Sequence, residues 1–283
     1  MASDTLRYRW HNYLVTGLLH AGCLAVAVTC VFPLIWMFSS SLKTQATVFS
    51  DYRLIPAHPH FGNFMEAWTK GEFGTYFFNS LWYTGWVVLG VVTVASLAAY
   101  AFSRLTLRGS DSLYKLLLSP MFIPIPGAFI ALYVLLNRMH LIDTRLGYIL
   151  PQINGGLALA IFLLKTFFDR LPRELEESAT IDGCNRFGVF WHVALPLARP
   201  AIAVVVIFTA LAVWNEYLLA LLIFSRKELM PLQRGLMVFQ GAHITQYPLL
   251  MAGMIISIIP IVAVYLAMHK YIIKGVMAGA LKT

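Results

Sequence analysis

Apolar residues run along this chain in long stretches divided by shorter polar segments. Six stretches are long enough to match a bilayer core: 14–38, 76–101, 113–136, 148–167, 201–224 and 248–270. About 20 apolar residues in a helix cover the ~30 Å of hydrocarbon. Inside lipid every backbone polar group must be paired within its own element, so each stretch predicts a helix. Ten-residue segments of alternating character are absent, which argues against a barrel. The expected fold is all-α and integral to the membrane, with six transmembrane helices spread over residues 14–270. Residues 1–13 and 271–283 are expected as tails.

Two stretches carry extra information. The third contains Pro120, Pro124 and Pro126. Proline lacks an N–H and clashes with the carbonyl four residues back, so this span is expected to kink or unwind. The first follows the basic segment MASDTLRYRWHNY, which superficially resembles a signal peptide. Its apolar run is too long for that, and no A-x-A site closes it, so an uncleaved first span is expected.

Composition agrees with lipid as the solvent. Hydrophobic residues make up 59% of the chain and charged residues only 12%, against roughly 25% charged in soluble domains. The net charge is +8. No dense Lys/Arg tract is present, so nucleic acid is not an expected partner. The basic residues instead fall into two sets by loop. The tails and the second and fourth loops hold 13 of the 21 Lys and Arg residues. By the positive-inside rule these segments face the cytoplasm, and so do both termini. Cys23, Cys30 and Cys184 form no pair or metal spacing and read as small, mostly buried thiols.

The fourth loop, 168–200, reads in part LPRELEESATIDGCNRFGVFWHVALPLARP. Pro172 suits a first helical position. Glu174, Glu176 and Glu177 follow, where carboxylates complement the helix dipole. Asp182-Gly183 is a stop signal, with Gly183 free to take positive φ. A second short amphipathic piece spans 187–193, and Pro196 and Pro200 bracket the entry to the fifth span. Two short helices joined by a tight turn are expected.

This loop resembles the EAA loop of ATP-binding-cassette importer permeases. The family pattern EAAxxxG, followed later by an aliphatic residue and x-Leu-Pro, is matched by Glu177-Ser178-Ala179, Gly183, Val193 and Leu195-Pro196. Ser178 replaces the usual first Ala, and Cys184 stands where a small Ala is common. The segments FPLIWMFSSSLKT, YFFNSLWYT, LAAYAFSRL, LIDTRLGYILP, WNEYLLALL and YIIKGVMAGALK are similar to the carbohydrate-uptake subfamily, smaller permease, over nearly the whole chain.

The resemblance implies a type I importer permease with 14–270 as its permease domain and 168–200 as its coupling loop. It implies Glu177, Ser178, Ala179, Asp182, Gly183, Leu195 and Pro196 as the ATPase-coupling set. Glu177 would be the polar contact, Ala179 and Gly183 close-packing positions, and Pro196 a rigid exit. The implied partners are a second permease chain, two ATPase subunits and an extracytoplasmic solute-binding protein. ATP and Mg would belong to the ATPase, and this chain would bind no cofactor.

Other polar residues have two readings each. Asn215-Glu216 in the fifth span, with Trp214 beside them, either line the solute path or form a helix–helix hydrogen-bond pair. Asn79 and Ser80 open the second span and either pack helices or face solute. Tyr83, Trp82 and Trp86 either stack a sugar ring or belong to an interfacial aromatic belt. The tentative solute path is Asn79, Tyr83, Trp214, Asn215 and Glu216. His58-Pro59-His60 has a metal-like look without an evident third ligand.

No GxxxxGK[ST], HExxH or GxSxG motif occurs, so the chain is not expected to be an enzyme. Two rivals remain. An ion-driven transporter would need several acids or histidines within spans, and Glu216 is the only mid-span acid. A membrane enzyme would need paired acids at one face, and the acidic cluster 174–182 suits a docking helix better. The expected solute is a sugar, with a polyol or glycerol phosphate as alternatives. No arginine lies within a span to meet a phosphate, which favours an uncharged sugar.

Overall fold

The computed structural model describes residues 2–70, 72–105, 108–122, 127–241 and 244–280. The described residues form helices joined by turns and loops, with an isolated bridge between Gln240 and Thr245. It divides into two compact units, one of Met1–Gly71 with Val238–Ile256 and one of Glu72–Met237 with Ser257–Thr283.

The first unit is built on α1 (Ala2–Ser41) and α2 (Gly62–Lys70), with the start of the last helix. Leu18, Leu24 and Val26 on α1 are exposed, as lipid rather than water as solvent requires. Cys23 and Cys30 are exposed there too. The buried thiols expected for them are not found, because α1 buries nothing along its apolar window. The polar segment after α1 is ordered by side chains that satisfy backbone groups. Asn63 donates through Nδ2 to the carbonyls of Ser41 at 2.7 Å and Lys43 at 2.8 Å. Lys43 is 1% exposed; its Nζ donates to the Asp51 carbonyl at 2.6 Å and lies 5.0 Å from the Trp36 ring centroid. Burying an ammonium is tolerable only with such partners.

The second unit contains α3 (Phe73–Arg104), α4 (Ser110–Leu118), α5 (Ala128–Arg138) and α6 (Arg145–Arg170). Then come α7 (Arg173–Ile181), α8 (Arg186–Val189), a π-helical turn (Phe190–Ala194), α9 (Leu195–Leu197) and α10 (Arg199–Trp214). It continues with α11 (Leu218–Ile223) and α12 (Leu232–Gly235). The last helix, α13 (Tyr247–Ala280), crosses from one unit into the other.

The core of this unit lies between α3, α6 and α10. Val87, Val91, Ala95 and Ala99 on α3 are buried at spacings of four, and Ala160, Leu164 and Phe168 on α6 likewise. Two glycines let α3 and α6 approach. A Cβ on Gly90 would stand 2.5 Å from Ile153, and one on Gly156 would stand 3.0 Å from Val91. Close backbone approach through small residues is how lipid-embedded helices gain packing contact.

Four of the six expected spans are single helices of membrane-crossing length and apolarity, in α1, α3, α6 and α13. The third, 113–136, is not one helix. It is α4, a 3-10 turn at Ser119–Met121 holding Pro120, and α5. Pro124 and Pro126 lie outside the described residues. The fifth, 201–224, is interrupted too. α10 stops at Trp214 and α11 starts at Leu218, with 215–217 between them.

Candidate functional site

The loop 168–200 folds as two short helices and an elbow. Pro172 is the N-cap of α7, one position before the first helical residue. Glu174 and Glu176 occupy the first turn, the favourable end of the dipole. Termination follows a Schellman pattern. The N–H of Cys184 donates to the Ala179 carbonyl and that of Gly183 to the Thr180 carbonyl, each at 3.0 Å. Gly183 has φ +92°, which an L side chain rarely adopts, and a Cβ there would meet nothing within 4 Å. Within this chain Gly183 is therefore needed for its conformation, not for close packing. Asp182 is the C-cap.

Asn185 restarts the chain as a helix, its Oδ1 accepting from the Gly188 N–H at 2.7 Å. The π turn comes next, ending beside Pro196. Proline has no N–H for the carbonyl of His192, four residues back, and its ring crowds that carbonyl, so the wider spacing relieves both. Arg186–Leu197 then meets Arg199–Trp214 at 73°. Leu195 and Pro196 form the last turn of the elbow. Of this piece, Val189, Phe190, Ala194 and Ala198 are buried, which fixes the elbow against its unit.

α7 has no fully buried residue. Glu177 and Ser178 are exposed, and Ile181 is 87% exposed. Glu176 behaves differently. Its Oε1 lies 2.7 Å from Arg104 Nε, and its Oε2 accepts from the Tyr100 hydroxyl at 3.1 Å. From sequence Glu176 read only as part of the acidic first turn and Arg104 only as an orientation signal, and Tyr100 carried no signal, because their contacts join positions 76 and 72 apart.

The second region lies within the spans. A cavity of about 400 Å³ is bounded by α5, α6, α10 and α11, within the size range of small-molecule sites. Pro151, Gln152, Gly155, Thr209 and Glu216 contribute to its wall. Glu216 sits in the break between α10 and α11. Its Oε1 accepts from the Leu219 N–H at 2.7 Å, capping α11, and its carbonyl accepts from the Tyr148 hydroxyl at 3.4 Å. Interrupted helices at membrane depth occur where they line a cavity and side chains satisfy the freed backbone groups.

Of the other residues expected on a solute path, none borders this cavity. Asn79 donates to the carbonyls of Glu228 at 2.7 Å and Met230 at 3.1 Å. Tyr83 is buried, and its hydroxyl donates to the Leu229 carbonyl at 2.8 Å. Ser80 Oγ accepts from the Leu232 N–H at 2.8 Å. These three polar side chains pin the 228–232 segment to α3. Trp214 is buried and donates to the Ser257 carbonyl at 3.0 Å. Asn215 donates back to the Leu211 carbonyl at 2.8 Å, ending α10. Trp82 and Trp86 are about half exposed and pack edge to face, with Arg145 over the Trp82 ring. No group of three His, Cys, Asp or Glu side chains among the described residues is placed to hold a metal.

The match to known proteins is consistent with these features. Residues 92–277 match the family model for the binding-protein-dependent transport system inner membrane component. The chain belongs to this family. It is a permease subunit of an ATP-binding-cassette transporter, and its fold is that of the type I importers. A putative ABC transporter permease of Caldicellulosiruptor is 37% identical over 88% of this chain and 91% of its own length. A trehalose/maltose transport permease of Thermococcus litoralis is 31% identical over 94% of this chain and 96% of its own. A diacetylchitobiose uptake permease of Streptomyces coelicolor is 29% identical over 93% and 88%. A chain from the crystal structure of a bacterial ABC transporter that imports the acidic polysaccharide alginate superposes with a TM-score of 0.78. That chain is 26% identical, with 91% of this permease and 96% of its own length covered.

Proposed function

We propose that this permease imports an uncharged sugar or oligosaccharide into the cytoplasm, driven by ATP hydrolysis in a separate ATPase chain. The observation that carries the coupling half is the exposure of α7 beyond Glu176. Glu177 and Ile181 are displayed to solvent on a rigidly capped helix, and Ser178 is exposed beside them with its hydroxyl donating back to the Glu174 carbonyl at 2.8 Å. Such a helix suits a groove on an ATPase subunit, with Glu177 as its polar contact. On this reading 168–200 faces the cytoplasm with both termini, 14–270 is the permease domain, and the Lys/Arg distribution supports that orientation.

The solute assignment rests on two supports. Two of the relatives above are named for uncharged sugars, diacetylchitobiose and trehalose/maltose, while the alginate transporter is named for an acidic polysaccharide, so the relatives support a sugar and the cavity wall supports an uncharged one. Among the described residues the cavity wall contains Gln152, Thr209 and Glu216 but no Lys or Arg. Amide, hydroxyl and carboxylate groups suit sugar hydroxyls, whereas a phosphate or uronate would call for a cation. The chain would form the pore with a second permease, receive solute from an extracytoplasmic binding protein, and bind no cofactor itself. ATP and Mg would sit in the ATPase. Transport would follow alternating access, with ATP binding favouring one state of the pore over the other.

Purification of the tagged chain in mild detergent tests this reading. Recovery of an ATPase and a second permease, with ATP hydrolysis stimulated by a sugar-loaded binding protein, is the expected result. A chain that purifies alone, or a complex indifferent to every sugar-loaded binding protein, would overturn it.

A further inference from the structure

α7 hangs from α6 by a two-residue link. Leu171 and Pro172 are extended, with ψ of 126° and 131°. No α7 side chain is fully buried, so apolar packing alone does not set its angle. The strongest polar tie lies at the end of α3. Arg104 reaches across with a two-armed grip. Nε donates to Glu176 Oε1 at 2.7 Å, and Nη2 donates to the Leu171 carbonyl at 2.9 Å. One guanidinium thus holds both sides of the link. The pair is largely removed from solvent, with side chains 10% and 16% exposed. Tyr100, one turn earlier on α3, donates to the remaining oxygen of Glu176. Its ring packs on Phe168 of α6 at 5.6 Å and Phe190 of the elbow at 5.1 Å. Four elements, α3, α6, α7 and the elbow, therefore converge on one largely buried polar node.

We propose that Arg104 is a positioning residue for energy coupling: its grip on Glu176 and the Leu171 carbonyl makes α7 and the end of α3 a single lever. A displacement applied to α7 then moves α3 and, through the α3–α6 interface, the cavity wall. Without the grip the displacement bends the 171–172 link instead. Arginine is suited to this because its planar fork satisfies two acceptors at fixed geometry, which a lysine ammonium does not reproduce. Glu176 is consumed within the chain, so Arg104 acts on coupling without touching ATPase, nucleotide or solute.

The proposal rests on the importer reading above. It is tested with the complete complex in proteoliposomes, reading ATP hydrolysed per labelled sugar taken up. Arg104→Ala and Glu176→Ala should co-purify with the ATPase at wild-type yield but need roughly five-fold or more ATP per sugar. Arg104→Lys should fall between, and Tyr100→Phe should show a smaller loss. The double variant Arg104→Ala/Glu176→Ala should be no worse than either single change, as for residues acting as one pair. Wild-type ratios in the single variants, additive losses in the double, or failure of Arg104→Ala to hold the ATPase would each overturn the lever. A wild-type complex that takes up no sugar would instead overturn the importer reading itself.

Discussion

Glu176 and Glu177 are consecutive in the chain and do opposite things. Both oxygens of Glu176 are bound by α3, while Glu177 projects from α7 into solvent. One carboxylate secures the helix and the other is free to meet a partner. Glu177→Ala should therefore leave thermal stability within about 0.5 kcal/mol of wild type. It should also reduce recovery of the ATPase in pull-downs. Unchanged recovery would remove Glu177 from the docking surface.

The cap of α7 gives a second prediction. Gly183 at φ +92° faces open space, so Gly183→Ala tests conformation alone. An L residue in this region costs about 1–2 kcal/mol. Protection of the 179–184 amides in hydrogen exchange should fall in Gly183→Ala and less in Gly183→Asn, since Asn tolerates this conformation better.

Much of this loop was legible beforehand because its signals are local. Pro172, the acidic first turn and Asp182-Gly183 act on their own backbone, so a reading of neighbours suffices. The solute path was less legible because its residues act at long range. Asn79 and Tyr83 sit at the start of a span, where a polar residue can face a pore or a neighbour. Their true partners are carbonyls about 150 positions away, at 228–230. Gln152 and Thr209 carry no sequence signal of their own and become notable only where α6 and α10 frame the cavity. The break at 215–217 was hidden by hydropathy, which averages over an interruption, whereas Pro120 announced the turn at Ser119–Met121 that ends α4. Glu216 is the residue that makes the second break tolerable, by capping α11.

The cavity can be filled without disturbing its frame. Gly155 lines it, and a Cβ there would meet nothing within 4 Å. Gly155→Leu should leave unfolding temperature and ATPase recovery near wild type while sharply reducing sugar uptake. Uptake at the wild-type rate would show that solute does not pass this cavity.

Two glycines should respond to different degrees. At Gly235 a Cβ would fall 2.1 Å from the buried Tyr76 ring. At Gly90 it would meet the flexible end of Ile153 at 2.5 Å. Overpacking against a ring that cannot turn aside costs about 1–3 kcal/mol or more. Gly235→Ala should lower the unfolding temperature well below that of Gly90→Ala, as read by thermal denaturation in detergent.

Asp143 yields a pH prediction. Burial works against its ionisation, but backbone hydrogen bonds from Arg226 and Ser225 and the charge of Arg226 hold its carboxyl below the usual range. Its Oδ1 accepts from Ser225 at 2.7 Å and Arg226 at 3.0 Å. A depressed folded value means the stabilisation is present above the unfolded value, about 3.9. It is lost as pH falls from there through the folded value. Wild type should be more stable than Asp143→Asn at neutral pH, with the difference steady down to about pH 4 and fading below it. A difference that grew on acidification would contradict the assignment.

The central claim is ATP-driven entry of an uncharged sugar through this permease. The most direct test places the purified complex in proteoliposomes, with ATP on the side of the ATPase and labelled sugar with its binding protein on the other. Accumulation against a gradient that requires hydrolysable ATP and persists with an ionophore present is the predicted result. Uptake that ignores ATP but collapses with the ion gradient would contradict the account.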